Sequence, residues 1–477
     1  MFSKTKKRII VLAAIFLAYT TVAESAKASD EFLLIGTYFR NFSSKADKNT
    51  KKSENNDSDD DLKPDDKKPD DPVPVLEVIP VVRENGIVKA EKNTRGAFLF
   101  FFVSDDISSQ GKEALWMTDK NTFVYNDKTL HSDSEYTVLV ENEAYFENNG
   151  TITGENAGVK LSGASKMINN GLIANSGDKG VEVTEGSLFM NNGIIKNGKN
   201  FGIMVNGKNS EAVNGKTGVI ENGDINDLEN TGLSGMYISG GALGRNEGLI
   251  KNTSYYGVYV TGADSKGINE STGVIRNGAA NGYGHFGMYA DNSGTIINYG
   301  LIENLNCRGM YAKGDGTVAI NEAGGIIRNG TVINPYTFDT SGMQAVKGGT
   351  VINKGRIETV GMYGMTATQG SHAVNEANGV VANTAIYGMY AEAGGKITNH
   401  GKIQNDQNGM YAGSSGTIAV NEITGIVENM QFYGMYVENG ASAFNKGKIQ
   451  NTSYYGMHAY TLNSLIVNEA TGIIQNK

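Results

Sequence analysis

The sequence is poor in cysteine, tryptophan and proline: one, one and six residues respectively in 477. With Cys307 alone, no internal disulfide can form. No His/Asn arrangement around it suggests a nucleophile, so it reads as an incidental or structural thiol. Positive charge is also in deficit, with 42 Lys and Arg against 51 Asp and Glu. A net charge of −9 excludes a general electrostatic case for nucleic acid or anionic membrane as partner. No apolar run is long enough to span a bilayer as a helix. The G-x-S-x-G motif is missing. The five histidines (His131, His285, His372, His400 and His458) follow no metal or triad spacing. Catalytic residues, metal ligands and cofactors are therefore all expected to be none.

Glycine and asparagine are plentiful instead, and they recur at fixed places. With 62 Gly, the chain calls for a repeat architecture before any count of globular domains. The N-terminus comes first. Lys4, Lys6, Lys7 and Arg8 precede the apolar run Ile9–Tyr19, and Ala26-Lys27-Ala28 forms an A-x-A site, with Ala23 an earlier alternative. Residues 1–28 are thus expected to be an export signal, followed by a short mature segment, 29–42. Residues 43–74 carry Lys, acids and almost nothing apolar, which predicts a disordered linker. Five of the six prolines, between 64 and 80, stiffen its end. Residues 75–148 hold apolar runs such as Ala97–Val103 and the only Trp, Trp116, without a clear repeat. They are expected to form a β-rich N-terminal cap, since a solenoid exposes core and backbone at its ends.

From 149 to 477 the repeat is continuous. An Asn recurs at 170, 192, 214, 246, 269, 298, 321, 353, 375, 399, 421, 445 and 468, mostly in steps of 22 to 24 residues. A second Asn column follows five to eight positions later, and then a Gly-led strand of the type Gly-Met-Tyr-Ala. Three short strands and three turns per coil predict an all-β parallel β-helix of about 13 coils, roughly 60 Å long. Strand side chains alternate. Positions after Gly (Met310, Met389) and two further on (Ala312, Ala391) are always apolar and should face the core. The residue between them forms a Tyr column, Tyr237, Tyr259, Tyr289 and Tyr311, resuming at Tyr390, Tyr411 and Tyr436, which should face solvent. The Asn columns belong at corners, where Asn tolerates left-handed backbone and can stack in amide ladders. Coils of the NEATGIIQN kind alternate with coils of the NKGKIQN kind.

These G-M-Y-A and N-E-x-x-G-I-I-x-N repeats resemble the passenger domains of autotransporter proteins from anaerobic Gram-negative bacteria. The resemblance covers about 149–477 and marks scaffold rather than activity. It implies a right-handed β-helix, reached through periplasm and outer membrane and secreted or displayed on the cell surface. It further implies an adhesive or structural role, with a host-cell surface protein or glycan as partner. The C-terminal β-barrel translocator of the family is expected but absent from this chain, which stops in mid-coil at Asn476-Lys477.

Three function classes remain in view: a contact rod, a glycan-binding module with an aromatic-lined site, and a polysaccharide-degrading β-helix enzyme. The last needs clustered carboxylates, or calcium with a basic residue, at one point on the rod. The sequence shows no such cluster. Two groups are candidates for ligand contact. One is the Tyr column. The other is three inserts, 223–234, 278–286 and 330–341, between the second Asn and the following Gly. They carry Asp227, Tyr283, His285, Phe286, Tyr336 and Phe338, and Pro335, the only proline inside the repeat. Insertions in a solenoid collect on one face, often the binding face. The acidic stretch Asp224, Asn226, Asp227, Glu229 lacks the glycine and ligand spacing of a calcium loop and reads as a solvated turn.

Overall fold

A chain that repeats every 22 to 24 residues buries its apolar positions only by stacking one coil on the next. The structure, a computed structural model, realises this. It describes strand residues 77–78, 83–84, 87–90 and 99–103, and then 105–476 apart from 121, 198, 223–232, 252–254, 278–285, 305–307, 330–339, 359–360 and 405. All of these lie in the compact unit spanning 74–477. They build a parallel β-solenoid of three stacked sheets with 17, 16 and 17 strands. Among the described residues there is no helix.

Each coil contributes one strand to each sheet. The first sheet holds strands that end in Asn, such as Thr295–Asn298 and Lys396–Asn399. The second holds short Ile-centred strands, such as Leu301–Asn304 and Lys402–Gln404. The third holds the Gly-led strands, such as Phe286–Asp291 and Tyr387–Glu392. Equivalent residues face each other from coil to coil: Asn298 with Asn321, Ile302 with Ile327, Met288 with Met310. The pairing begins upstream of residue 149. Leu99–Val103 pairs with Thr122–Asn126, and that strand with Tyr145–Asn148. At this edge Arg83–Glu84 and Ile87–Ala90 form an antiparallel pair.

The core is a set of columns. Ile275, Ile302, Ile327 and Ile357 of the second sheet are fully buried, as are Met288, Met310, Met343 and Met365 of the third. Ala290, Ala312 and Ala345 follow the Met positions and are buried too. Burial of each Ile or Met contributes roughly 1.5–3 kcal/mol before ordering entropy is counted.

One local departure from strand alternation shapes the outer surface. In Tyr387–Glu392 the burial runs half, full, full, half, full, exposed, so Gly388 and Met389 both turn inward. A Cβ on Gly388 would collide with Ile403 Cγ2 of the next coil. Glycine is demanded here by close approach, not by backbone angle. Two successive inward residues leave the residues on either side, Tyr387 and Tyr390, both pointing out.

The first Asn column is a continuous amide ladder inside the rod. Each side chain donates Nδ2 to Oδ1 of the next: Asn269 to Asn298, Asn298 to Asn321 and Asn321 to Asn353, all at 2.8 Å. Two positions of the expected column are corrected. The ladder passes through Asn169 and Asn191, both fully buried, and reaches back to Asn148 and Asn126. Asn170 and Asn192 stand one residue outside it, joined at 3.1 Å on the surface. In an Asn-Asn pair either residue fits the spacing, but strand alternation sends the first one inward.

The second Asn column divides. Asn175, Asn197 and Asn222 are buried and donate to backbone carbonyls of their own and the preceding coil. Asn383, Asn429 and Asn451 instead adopt φ of 56–60°. Their left-handed turn passes the inward corner position to the next residue: Thr384, Met430 and Thr452, each at most 4 % exposed.

Candidate functional site

The outer face of the third sheet gathers the aromatic residues. The expected Tyr column is there, in register: Tyr237 opposite Tyr259, Tyr259 opposite Tyr289, Tyr289 opposite Tyr311. Ring centroids along it are 5.2, 5.0 and 5.2 Å apart. The column points outward, but it is not freely solvated as expected. Tyr289 and Tyr411 are only 7 % exposed and the others half-buried, because a second aromatic column packs against the first.

That second column is the residue before each Gly: Phe201, Tyr256, Phe286, then Tyr363, Tyr387, Tyr433 and Tyr455. Tyr256 lies 4.8 Å from Tyr259, 4.9 Å from Tyr289 and 5.4 Å from Phe286. Phe286 in turn contacts Tyr289 and Tyr311, each at 5.0 Å. Strict alternation would have sent this column inward; the inward Gly-Met pair sends it out. Its signal in the sequence is the recurring aromatic immediately ahead of Gly-Met.

The double column comes in two blocks. The first runs from Phe201 to Tyr311. In two intervening coils the Tyr position holds Gln344 and Thr366. The second block resumes at Tyr363 and Tyr387, with Tyr390 stacked on Tyr411 at 4.7 Å and 4°. Tyr411 continues to Tyr436 at 5.7 Å. Beyond it, Tyr455 (53 %) and Tyr460 (67 %) are exposed around His458, and Tyr454 (61 %) beside Phe432.

Carboxylates flank both blocks at the end of the strand. Asp291 accepts from Tyr259 at 3.1 Å and from Tyr289 at 3.4 Å. Glu392 accepts from Tyr390 at 2.7 Å. Glu438 accepts from Tyr411 at 2.7 Å and from Tyr436 at 2.9 Å. Burial, followed by these acids, raises the hydroxyl pKa of Tyr259, Tyr289, Tyr390, Tyr411 and Tyr436. Burial likewise pushes Tyr387 up to about 12. The hydroxyls therefore remain proton donors across the physiological range, and the acids are held by them as acceptors.

The inserts contribute differently. Of their named residues, Phe286 opens a third-sheet strand and belongs to the aromatic face. Asp227, Tyr283, His285, Tyr336 and Phe338 lie outside the described residues, as do Cys307, Pro335 and the acidic stretch 224–229. The strands flanking each insert keep their register, as Phe201 with Ser234 and Tyr256 with Phe286 show. All three inserts thus lie in sequence between a second-sheet strand and the third-sheet strand that follows it.

One buried acid was not anticipated. Asp406 is 2 % exposed at the same corner, beside a shallow groove of about 520 Å³ lined by Thr384, Gln407, Gln431 and Asn451. Its Oδ1 accepts from the Thr384 backbone amide at 2.5 Å, and its Oδ2 has no partner. Burial pushes its pKa up to about 8. Among the described residues no group of three or more His, Cys, Asp or Glu stands close enough to hold a metal ion.

Three stacked parallel sheets with an ordered outer aromatic face define the chain as a β-solenoid of passenger-like build. Residues 359–476, which include the second aromatic block, match the family model of the BigA third pectate lyase-like domain. No curated protein matches the chain.

Proposed function

We propose that this protein is an autotransporter-type passenger, secreted or surface-displayed, which acts as a non-catalytic rod that contacts a host or cell surface. The observation that carries the reading is the double aromatic column on one face of the rod. Exposed aromatic stripes beyond what stability needs are interaction surfaces. The sequence of residues 1–28, read as an export signal, and the match over 359–476 are in keeping with it. A rod suits this role because neighbouring coils within each block repeat a similar surface, so weak contacts add up along its length.

The test is a triple substitution, Tyr237→Ser, Tyr259→Ser and Tyr311→Ser. The variant should stay folded with a lower melting temperature and lose adhesion to cells or to a glycan-coated surface. Adhesion equal to that of the intact rod would leave the column a purely structural role and remove this reading.

A second reading is favoured by the words pectate lyase-like in the matched family's description: a polysaccharide-degrading enzyme on the same scaffold. Incubation with polygalacturonate, followed by absorbance of unsaturated products, decides it. Product formation above buffer would place the protein among enzymes.

A further inference from the structure

We propose that the second aromatic block, from Tyr387 to Glu438, docks lysine or arginine side chains of a protein partner; this rests on the contact function proposed above. The argument starts from what the chain does with its own cations on this sheet. In the coil Arg308–Lys313 the residue before Gly is Arg308, not an aromatic. Its guanidinium lies over the rings of Phe286 at 5.3 Å and Tyr311 at 5.4 Å. At the strand's end Lys313 stands in register with Asp291. An earlier coil repeats the device. Lys179, also ahead of Gly, sits 6.0 Å over the Tyr136 ring and 2.9 Å from Glu182. Aromatic rings on this face thus seat cations of the protein itself twice, and at Lys179 a carboxylate completes the seat.

In the second block neither of these two places holds a cation, and the Tyr411 ring lies over the second of them. The coil Asn408–Gly413 carries Asn408 where Arg308 stands and Gly413 where Lys313 stands. Asn408 faces Tyr387 in register, and Gly413 faces Glu392 on one side and Glu438 on the other. Asn408 is 7 % exposed, and its Oδ1 has no partner. The seat therefore combines the half-buried rings of Tyr387, Tyr390 and Tyr436 with two carboxylates, Glu392 and Glu438, and has no cation of its own strand; Asn408 lies buried beneath it.

The hydrogen-bonding capacity left over selects the ligand. The hydroxyls of Tyr390, Tyr411 and Tyr436 are already donated to Glu392 and Glu438. What remains is the hydroxyls of Tyr387 and Tyr433 and the acceptor capacity of two carboxylates that face no cation of this strand. A neutral sugar leaves that charge unmatched, and an acidic glycan is repelled. Lysine and arginine are donor-only groups and match.

The test uses the full chain and a fluorescent hexa-arginine peptide, followed by anisotropy at low and physiological salt. The pair Glu392→Gln and Glu438→Gln keeps acceptors for the tyrosines and removes the charges. It should weaken binding by about tenfold or more. The pair Tyr390→Leu and Tyr436→Leu should weaken it severalfold. A charge-matched control, Glu376→Gln and Glu469→Gln, lies at the turn between first and second sheets and should change it less than about twofold. Melting curves establish that each variant is folded. Equal losses in both charge-matched pairs, or no binding by the intact rod, would overturn the proposal. So would a neutral oligosaccharide whose binding falls in the Leu pair but not in the Gln pair, although the contact function would then stand. Cell adhesion untouched by any of these variants would instead count against the contact function itself.

Discussion

Asn298 sits fully buried between two neighbours, accepting from Asn269 and donating to Asn321. Asn298→Ala strands a donor on one side and an acceptor on the other, with no water to replace it. A loss of roughly 2–5 kcal/mol is expected in denaturant unfolding. Asn298→Asp should cost more, since it adds a buried charge and removes the donor. A loss below that for a surface Asn such as Asn192 would show that the ladder contributes no stability. Asp406 makes the opposite case, a residue that costs stability. Its folded pKa, about 8, lies above the ordinary carboxylate value near 4. Below about pH 4 both folded and unfolded states hold the proton and there is no penalty. Between about pH 4 and 8 the unfolded chain ionises first, so stability falls as pH rises, and the loss is complete above the folded value. Asp406→Asn keeps an acceptor for Thr384 and cannot ionise. It should raise the melting temperature at pH 8 and flatten its slope between pH 5 and 8. An unchanged slope would place the titration elsewhere.

At the scale of the strand, two features act together. The inward Gly-Met pair is what a close-packed interior and a two-column surface both require. The second sheet adds a charge row outside. Arg276 reaches Glu303 at 2.7 Å, and Arg328 reaches Glu303 at 3.7 Å and Glu358 at 3.0 Å. From Arg276 to Glu358 the signs alternate coil by coil. A slip of one coil would set like charges side by side, so the row specifies register more than it adds stability. Glu303→Arg should therefore cost about 1 kcal/mol at low salt and less at high salt. Unfolding measured at both ionic strengths checks this, and a loss independent of salt would point to packing instead.

For the whole molecule, cohesion comes from neighbour-on-neighbour stacking, so alterations at a corner should leave the three sheets intact. Deleting 223–232, 278–285 and 330–339, the parts of the inserts ahead of the third-sheet strands, with each gap closed by a turn of ordinary length, should preserve the β signature in circular dichroism. It should also leave a melting temperature close to the original, because loop length costs little. If the inserts take part in contact, adhesion falls without loss of fold. Collapse of the fold would show that they brace the corner beside the aromatic face.

Periodicity alone determined most of the architecture. The coil length, the three strands, the inward Met and Ala columns and the outward Tyr column all follow from spacing and alternation, because every coil solves the same burial problem. Alternation is also where the reading ran out. It could not place Tyr256, Tyr363, Tyr387 and Tyr433 outside, since only the contact of Gly388 with Ile403 on the adjacent coil forces two inward residues in succession. Nor could the repeat spacing choose Asn169 over Asn170, or find Asp406 behind a left-handed Asn corner. Nothing in the repeat pattern singles out the strand-end carboxylates Asp291, Glu392 and Glu438. Folding sets them beside tyrosine hydroxyls 2, 27 and 32 residues away, and pairing across coils is decided by the fold, not by the segment.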